Sequence, residues 1–216
     1  MDRFFEYVGR HTDDLSQQAW DHVAVVATAV AIAALIGVAL GVATWNRPLG
    51  SSLAVAVTGS FLTIPSFALL GLLIPLLGLG WTPTVVALVV YALLPVTRNT
   101  IVGLREVSSA ILEAARGTGM GPVRTLMAVQ LPLAWPVILT GIRVSTQLTV
   151  GIAAIAAYVA GPGLGNEIFD GLSRLGSKNA LNQALAGTLG VVVLALLFDL
   201  FFFAVRRLTT PRGLRV

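Results

Sequence analysis

Hydrophobic residues occur along this chain in long runs, and short segments rich in polar residues separate the runs. About 20 consecutive apolar residues cross the hydrocarbon core of a bilayer as one α-helix. By this measure we expect five transmembrane helices, over residues 23–44, 52–79, 82–96, 136–159 and 184–205. The predicted domains are then an extracytoplasmic N-terminal tail of residues 1–22, a membrane domain of residues 23–205 and a basic tail of residues 206–216.

The second and third predicted spans are less regular than the others. Pro65 and Pro75 interrupt the second run, and proline kinks a helix because it lacks a backbone donor. A membrane bundle accommodates such a kink when neighbouring groups satisfy the freed backbone atoms. The third run is short, so we expect its helix to continue towards Leu104, with Arg98 snorkelling near its end.

The composition is typical of an all-α integral membrane protein. Of the 216 residues, 56% are hydrophobic and only 11% are charged, whereas a soluble domain has about 25% charged residues. The absence of cysteine excludes disulfides and thiolate metal sites, and we expect no metal site of another kind. His11 and His22 both fall in the predicted N-terminal tail, where we expect them on the surface. The basic residues are dispersed among apolar runs, which does not indicate a nucleic-acid partner.

The distribution of charge predicts the orientation of the chain. Segments 45–51, 97–135 and 206–216 together carry nine arginines, and the segments expected on the opposite side carry four basic residues. Because the side richer in Lys and Arg is the cytoplasmic one, we expect the N-terminus outside and the C-terminus inside. The first run is too long for the apolar part of a signal peptide, so we expect a retained span. The tail from residue 209 onward is expected to lie against anionic headgroups.

A short motif lies in the basic segment between the third and fourth predicted spans. Glu113, Ala114 and Ala115 are followed after three residues by Gly119, and the pattern ends in Val129 and the pair Leu131–Pro132. This spacing resembles the EAA loop of bacterial ABC-importer permeases, with Val in place of the commoner Ile. An ordinary amphipathic helix between two spans is the alternative. The resemblance implies a type I ABC-importer permease architecture in a bacterial cytoplasmic membrane.

The same resemblance implies a role for the motif as a coupling element that docks into an ATPase subunit. The docking residues would be Glu113, Ala114, Ala115 and Gly119, within a segment that also contains Pro122, Leu131 and Pro132. We expect residues 112–118 to begin a short helix and Pro122 to start a second one, because proline is tolerated in a first turn. Gly119 and Gly121 would permit the turn between them. Leu126, Val129 and Leu131 would form an apolar face, and Pro132 and Pro136 would end the segment before the next span.

The chain cannot hydrolyse ATP through a P-loop of its own. A P-loop needs a glycine-rich stretch that ends in Gly-Lys-Ser/Thr, and the only lysine, Lys178, follows Ser177. The chain is therefore expected to be a non-catalytic subunit. The resemblance implies that a dimeric ABC ATPase binds ATP and Mg, that a second permease subunit completes the pathway as a homo- or heterodimer, and that an extracytoplasmic binding protein delivers the solute.

Three further stretches resemble the permeases of osmoprotectant importers, which carry quaternary amines such as glycine betaine, choline and carnitine. They are residues 63–71 (TIPSFALLG), 91–95 (YALLP) and 98–100 (RNT). On this resemblance, Thr63, Pro65, Ser66, Arg98 and Asn99 belong to the pathway. Pro65 and Ser66 would break a helix that lines it, and a proline kink in a packed helix is the alternative. Permeases for methionine or another amino acid are the alternative within the ABC class.

Two charges lie inside predicted spans. Arg143 and Asp199 are each roughly 10 Å from the cytoplasmic end of their span, at 1.5 Å per residue. Intramembrane charges are costly and usually pair, so we expect an ion pair near an inner gate; separate snorkelling is the alternative.

Two other classes of membrane protein are the more distant alternatives. An ion-coupled transporter would need more buried acids or inverted halves, and an intramembrane enzyme would need a convergent catalytic set.

A glycine-rich stretch, residues 161–165, precedes the last polar segment on the outer side. Glu167, Asp170 and Arg174 follow it on a short amphipathic stretch. Polar side chains in this position could receive the binding protein, and an ordinary solvated loop is the alternative.

Overall fold

The computed structural model describes residues 2–209, and the predicted tail beyond Thr209 lies outside the described residues. The described chain is built from α-helices, with one π-helical turn at Leu126–Gln130 and one 3-10 helix at Ala156–Val159. The α-helices are α1 Asp2–Arg10, α2 Thr12–Thr44, α3 Pro48–Phe61, α4 Ser66–Leu77, α5 Trp81–Arg105, α6 Ser109–Gly117, α7 Pro122–Thr125, α8 Leu131–Ile155, α9 Gly165–Ser173 and α10 Ala180–Thr209.

Within residues 2–209, four helical units are long and apolar enough to cross a membrane, and a bent pair of helices counts as a fifth if the pair forms one span. The four units are α2, α5, the stretch Pro122–Val159 and α10. The bent pair is α3 and α4, whose axes differ by 88°. The second predicted span is therefore broken at Pro65 and not merely kinked. The third span continues to Arg105, as its sequence predicted.

Helix α2 begins well before the first predicted span. It starts at Thr12, so the boundary expected after residue 22 is not a structural one. The expectation that His22 lies on the surface is wrong, because its side chain is fully buried. Its Nε2 atom lies 3.1 Å from the carbonyl oxygen of Val150, and a Cβ on Gly163 would lie only 2.7 Å from its Nδ1. His11 is half-buried and stacks on Tyr7.

The expectation that Pro132 and Pro136 end the coupling segment is also wrong. The chain is helical without a break from Pro122 to Val159. Pro132 is the second residue of α8 and directly follows a helical turn, so the helix continues through a residue that lacks a backbone donor. The turn just before it is π-helical, and we attribute the tolerance of the proline ring to this wider turn. Pro136 lies further inside α8, and its carbonyl oxygen accepts a hydrogen bond from Thr140.

Helices α2, α5 and α8 form the framework of the bundle. Small residues bring their backbones together: a Cβ on Gly37 would lie 2.8 Å from Val96, and one on Gly141 would lie 2.7 Å from the carbonyl oxygen of Pro95. Such close approach is the usual basis of helix packing in membranes. The largest buried cluster joins the same three helices through residues that include Val25, Leu88 and Val150.

The bundle has two distinct ends. At the α6–α7 end, Arg105 Nε donates to the carbonyl oxygen of Trp45 at 2.9 Å, and Trp135 Nε1 donates to Thr209 Oγ1 at 2.8 Å. At the α9 end, the backbone nitrogen of Gly80 donates to the carbonyl oxygen of Val159 at 2.9 Å. The helices therefore alternate in direction, as the predicted topology requires.

Candidate functional site

The α6–α7 segment, residues 109–125, is a pair of short helices joined by a tight turn. The first helix contains Glu113, Ala114 and Ala115 but begins at Ser109, three residues before the expected start at residue 112. Pro122 is, as expected, the first residue of the second helix. Gly119 has φ +81°, a conformation that favours glycine, and a Cβ added there would meet no atom within 4 Å. Gly121 has an ordinary φ of −71°, so only one of the two glycines is required by the turn.

The motif residues divide between the inner and outer sides of this segment. Glu113, Ala114, Gly119 and Pro122 are exposed, whereas Ala115 is buried. The carbonyl oxygen of Ala115 accepts hydrogen bonds from Thr118 Oγ1 at 2.8 Å and from the backbone nitrogen of Met120 at 3.1 Å. Ala115 therefore stabilises the turn itself, and the other four residues face outward.

The apolar face expected from Leu126, Val129 and Leu131 does not point away from the bundle. Leu126 and Leu131 pack against the core cluster around Leu104 and Ile138, and Val129 is half-buried. Pro132, the last residue of the motif, is exposed. The motif therefore ends where the coupling segment joins the bundle.

A different set of apolar side chains is uncovered on the α6–α7 segment and on the π-helical turn that follows it. Ile111, Val123 and Met127 are 43%, 74% and 62% exposed. Sequence reasoning missed this set, although the spacing of four between Val123 and Met127 places both on one helical face. Helix α6 packs chiefly against α7 and the π-helical turn, so the rest of the bundle gives it little support.

A cavity of about 640 Å³ separates the α6–α7 segment from the end of α2. Its walls include Val42 and Trp45 on one side and Leu112, Arg116 and Val123 on the other. The segment is therefore held to the bundle mainly through the π-helical turn and α8.

The break in the second span is the most irregular backbone within the described spans. Pro65 directly precedes α4 and has an extended ψ of 132°. The hydroxyl of Tyr91 donates to the carbonyl oxygen of Ile64 at 2.6 Å, which satisfies one of the backbone groups that the break frees. Thr63 is exposed and Ser66 is half-buried at this point. The expected break of the helix is confirmed, and its place in a pathway stays a prediction.

Arg98 and Asn99 are neighbours in sequence but lie in different environments. Arg98 is exposed and lines a groove of about 540 Å³ between α3 and α5, together with Ser52 and Arg105. Asn99 packs against Gly141 of α8, and its Nδ2 donates to the carbonyl oxygen of Pro95 at 2.8 Å. Arg98 therefore presents a charge to open space, whereas the neutral Asn99 fills a contact between α5 and α8.

The expected ion pair between Arg143 and Asp199 is confirmed. Arg143 Nε donates to Asp199 Oδ1 and Arg143 Nη2 donates to Oδ2, both at 2.7 Å. This two-bond geometry is the strongest arrangement of the pair. Gln147 Nε2 also donates to Oδ1, at 2.6 Å. Sequence reasoning missed Gln147, although it lies one helical turn after Arg143 and so shares its face.

Glu167 does not present its carboxylate to a docking partner, contrary to expectation. It is only 6% exposed, and its two oxygens accept hydrogen bonds from Tyr7 Oη at 2.7 Å and from Gln18 Nε2 at 3.0 Å. These bonds tie α1 and α2 to α9, because a buried carboxylate needs donors. Burial, and then the hydrogen bond to the Glu167 carboxylate, raise the pKa of Tyr7 above its usual value of 10.0. Asp170 and Arg174 are both exposed.

Residues 2–209 contain no group of histidine and acidic side chains that could hold a metal ion. What they do contain is a bundle of five spans with a broken second span, a paired intramembrane charge and an uncovered helical segment at one end. These features define a class, the multi-pass α-helical transport subunits that work with other chains.

Comparison with known proteins gives the family. Residues 29–211 match the family described as "Binding-protein-dependent transport system inner membrane component". The chain belongs to this family, as the permease subunit of an ABC importer. It is a non-catalytic membrane subunit, and ATP is hydrolysed by a separate subunit.

Individual relatives match over nearly the whole length. The choline transport system permease protein OpuBB of Bacillus subtilis (strain 168) is 34% identical over 215 residues, which cover 100% of this chain and 97% of that protein. The osmoprotectant import permease protein OsmW of Salmonella typhimurium is 37% identical over 206 residues, which cover 93% of this chain and 94% of that protein.

The fold also matches a solved structure. A chain of the MetNI methionine ABC transporter, in an inward-facing conformation, superposes with a TM-score of 0.79 at 24% identity, covering 91% of this chain and 96% of that chain. This likeness confirms the predicted type I importer architecture. At this identity it bears on the fold alone.

Proposed function

We propose that this permease moves quaternary-amine compatible solutes of the glycine betaine, choline and carnitine type into the cell. The observation that carries the proposal is similarity over nearly the full length, at more than 30% identity, to permeases for choline and for osmoprotectants. The likeness to the methionine transporter is weaker in sequence and does not favour methionine as the solute.

The proposed transporter contains two permease subunits, either two copies of this chain or this chain with a sister permease. A dimeric ABC ATPase binds ATP and Mg, and an extracytoplasmic binding protein delivers the solute. The uncovered apolar side chains Ile111, Val123 and Met127 support an additional subunit at the α6–α7 end, because exposed apolar patches mark interaction sites.

The α6–α7 segment is the proposed contact with the ATPase. Glu113, Ala114, Gly119 and Pro122 lie on its outer side, and Ala115 maintains the turn from the inner side. Small side chains at 114 and 119 allow the segment to enter a groove closely. The segment continues through the π-helical turn into α8, whose first two residues are Leu131 and Pro132. This connection is the proposed route by which ATPase closure moves the spans.

The proposed orientation places the α6–α7 end in the cytoplasm and the α9 end outside. Its support is the charge bias of the sequence, which concentrates arginines in segments that adjoin the α6–α7 end. In this orientation an ATPase reaches α6 and a binding protein reaches α9. Exposed Asp170 and Arg174 are the proposed polar contacts for the binding protein, and Glu167 shapes that surface indirectly through Tyr7 and Gln18.

The proposed pathway runs past the broken second span. Thr63, Pro65 and Ser66 stand at the break, and Arg98 lines the groove between α3 and α5. Asn99 acts indirectly by filling the contact between α5 and α8. The ion pair of Arg143 with Asp199 links α8 to α10 towards the proposed cytoplasmic side, where it acts at the inner gate.

Uptake of labelled glycine betaine tests the proposal. The chain is expressed with its neighbouring ATPase and binding protein in cells that lack their own osmoprotectant uptake. We expect uptake that unlabelled choline and carnitine reduce and that methionine leaves unchanged. An intact complex that takes up methionine but no quaternary amine would refute the solute assignment and leave the permease class in place. Omission of the ATPase is the control for background entry.

A further inference from the structure

Three aromatic rings from three separate elements meet at the α9 end, beside the break in the second span. Phe67 lies in the first turn of α4, Tyr158 in the 3-10 helix after α8, and Phe169 in α9. The ring centroids of Phe67 and Tyr158 are 4.2 Å apart with planes inclined at 42°, and those of Tyr158 and Phe169 are 6.2 Å apart. We call these three rings the aromatic cluster.

The cluster leaves much of its ring surface uncovered. Phe67 is 47% exposed and Tyr158 is 61% exposed, although each ring already packs against a neighbour. Gly71 lies one helical turn after Phe67 on the same face of α4, and a Cβ there would meet no atom within 4 Å. Open space therefore lies beside the rings.

A set of partly exposed aromatic rings next to open space suits one chemical class of ligand. The face of an aromatic ring carries negative partial charge, and it attracts a cation within about 6 Å of the ring centroid. A quaternary ammonium has no N–H group, so ring faces can hold it where hydrogen-bond acceptors cannot. Within residues 2–209, the ring contacts of the cluster are those among its own three rings.

We propose that the aromatic cluster of Phe67, Tyr158 and Phe169 binds the quaternary ammonium group of the transported solute as it enters the broken span. The inference rests on the proposed function for the identity of the solute. Phe169 of the cluster lies on α9 with Asp170, and Arg174 directly follows this helix, so the rings lie on the same element as the proposed contacts of the binding protein. Pro65 and Ser66 lie directly before Phe67, which places the rings at the start of the proposed pathway.

An interfacial aromatic anchor is the competing explanation for exposed rings at a span end. The two explanations differ in what a ring substitution does. An anchor contributes to the amount of protein in the membrane, whereas a cation site contributes to affinity for a cation. A ring-to-ring change preserves a cation site, and a ring-to-leucine change removes it at similar apolar volume.

The first test uses tetramethylammonium and the purified permease–ATPase complex in lipid nanodiscs, without the binding protein. Saturation-transfer NMR reports the bound cation. We expect Phe67→Leu and Tyr158→Leu each to weaken binding about fivefold, and Tyr158→Phe to leave it unchanged. Phe203→Leu is the matched control, because Phe203 is an exposed ring on α10 outside the cluster. The neutral isostere tert-butanol should not displace the cation.

Unchanged binding in both leucine variants, or displacement by tert-butanol at equal concentration, would overturn the proposal. A second measurement is uptake by the full transporter, in which Tyr158→Leu should raise KM about fivefold at equal amounts of complex, with Tyr158→Phe unaffected. Loss of complex from the membrane in the leucine variants, with normal cation binding per complex, would establish the anchor instead. If wild-type complex binds tetramethylammonium at the cluster but imports no amine, the proposed function fails while the cation site stands.

Discussion

The two ends of the bundle obtain their contacts from different sources. At the α9 end the chain covers itself: Glu167 is buried under two donors, and His22 is buried against Val150 and Gly163. At the α6–α7 end the segment has little cover from the rest of the chain, and apolar side chains such as Val123 remain exposed. The contacts around Glu167 and His22 are therefore made within the chain, whereas the α6–α7 segment presents an uncovered apolar surface.

This difference teaches which changes should affect folding and which should affect function. A substitution at a buried position of the α9 end acts on contacts that the chain makes with itself, so it should change stability. A substitution on the outer side of the α6–α7 segment removes no internal contact, so it should leave the fold intact and act on a partner. The chain offers glycines at both ends with which to test this contrast.

The largest expected effect is on transport, from Gly119→Asp. A Cβ at this position meets no atom of the chain, and the positive φ costs about 1 kcal/mol in a non-glycine residue, so the bundle should fold. The new carboxylate would stand on the proposed ATPase contact, and uptake of labelled glycine betaine should fall to background. ATP hydrolysis would then no longer respond to solute-loaded binding protein.

Gly176→Asp is the matched control for this experiment. Gly176 also has a positive φ, of +98°, and open space around its Cβ position, but it lies near the α9 end. The control should lose less than half of the uptake. Wild-type uptake by Gly119→Asp, at equal amounts of protein, would show that the α6–α7 segment is not the coupling contact.

The second prediction concerns stability, from Gly165→Ala at the α9 end. A Cβ on Gly165 would collide with the backbone carbonyl of Ala154, which cannot turn aside as a side chain can. Overpacking of this kind costs roughly 1–3 kcal/mol, and backbone contact places this case at the upper end. The apparent Tm of the detergent-purified chain should therefore fall by several degrees.

Gly151→Ala controls for the change of residue type within the same bundle. Gly151 lies in α8, and a Cβ there would meet no atom within 4 Å. Alanine at this helical position should leave Tm equal or slightly higher, since it has the better helix propensity. An equal loss of Tm in both variants would contradict the contrast between the self-covered and open surfaces.

The third prediction concerns the ion pair of Arg143 with Asp199, which lies between the two ends of the bundle. Removal of either Arg143 or Asp199 leaves the other charge without its two-bond partner, whereas removal of both leaves no unpaired charge. We expect a coupling energy of about 1 kcal/mol in a double-mutant cycle of thermal stability, because the pair is only half-buried. Additive losses from Arg143→Ala and Asp199→Ala would exclude a stabilising pair. Gln147→Ala should also lower thermal stability, by a smaller amount.

The sequence predicted features that depend on one element at a time. Five spans follow from run length, the break at Pro65 from proline chemistry, and the turn at Gly119 from glycine in a spaced motif. The pairing of Arg143 with Asp199 was also predictable, because two charges at similar depth have few other partners. The first span lacked such a signal: α2 extends back to Thr12 through polar residues, which hydropathy assigns to a tail.

Features that depend on distant elements could not be predicted. The burial of Glu167 requires Tyr7 and Gln18, which are 160 and 149 residues away in sequence. Likewise, His22 looks like a surface residue until α8 and the glycine-rich loop are placed beside it. The inward direction of Leu126 and Leu131 depends on the π-helical turn, which rotates the face that an ideal helix would present.

A similarly small effect is expected from the hydrogen bond between Tyr7 and Glu167. Tyr7→Phe removes one of the two donors to a buried carboxylate and should lower stability by about 1 kcal/mol at neutral pH. The loss should shrink as the medium becomes alkaline. Because the pKa of Tyr7 is raised in the folded state above its usual 10.0, the contribution of the hydroxyl is fully present below pH 10 and declines as pH rises further towards the folded-state pKa.

Thermal unfolding of wild type and Tyr7→Phe, measured from pH 7 to above pH 10, isolates this contribution from the titration of other groups. The difference in Tm should be constant up to about pH 10 and then decrease. Tyr158→Phe is the control, since that ring is 61% exposed, and its difference from wild type should stay near zero throughout. A Tyr7→Phe difference that is absent at neutral pH would mean that Gln18 alone satisfies Glu167, and that the α9 end is held chiefly by its glycine contacts.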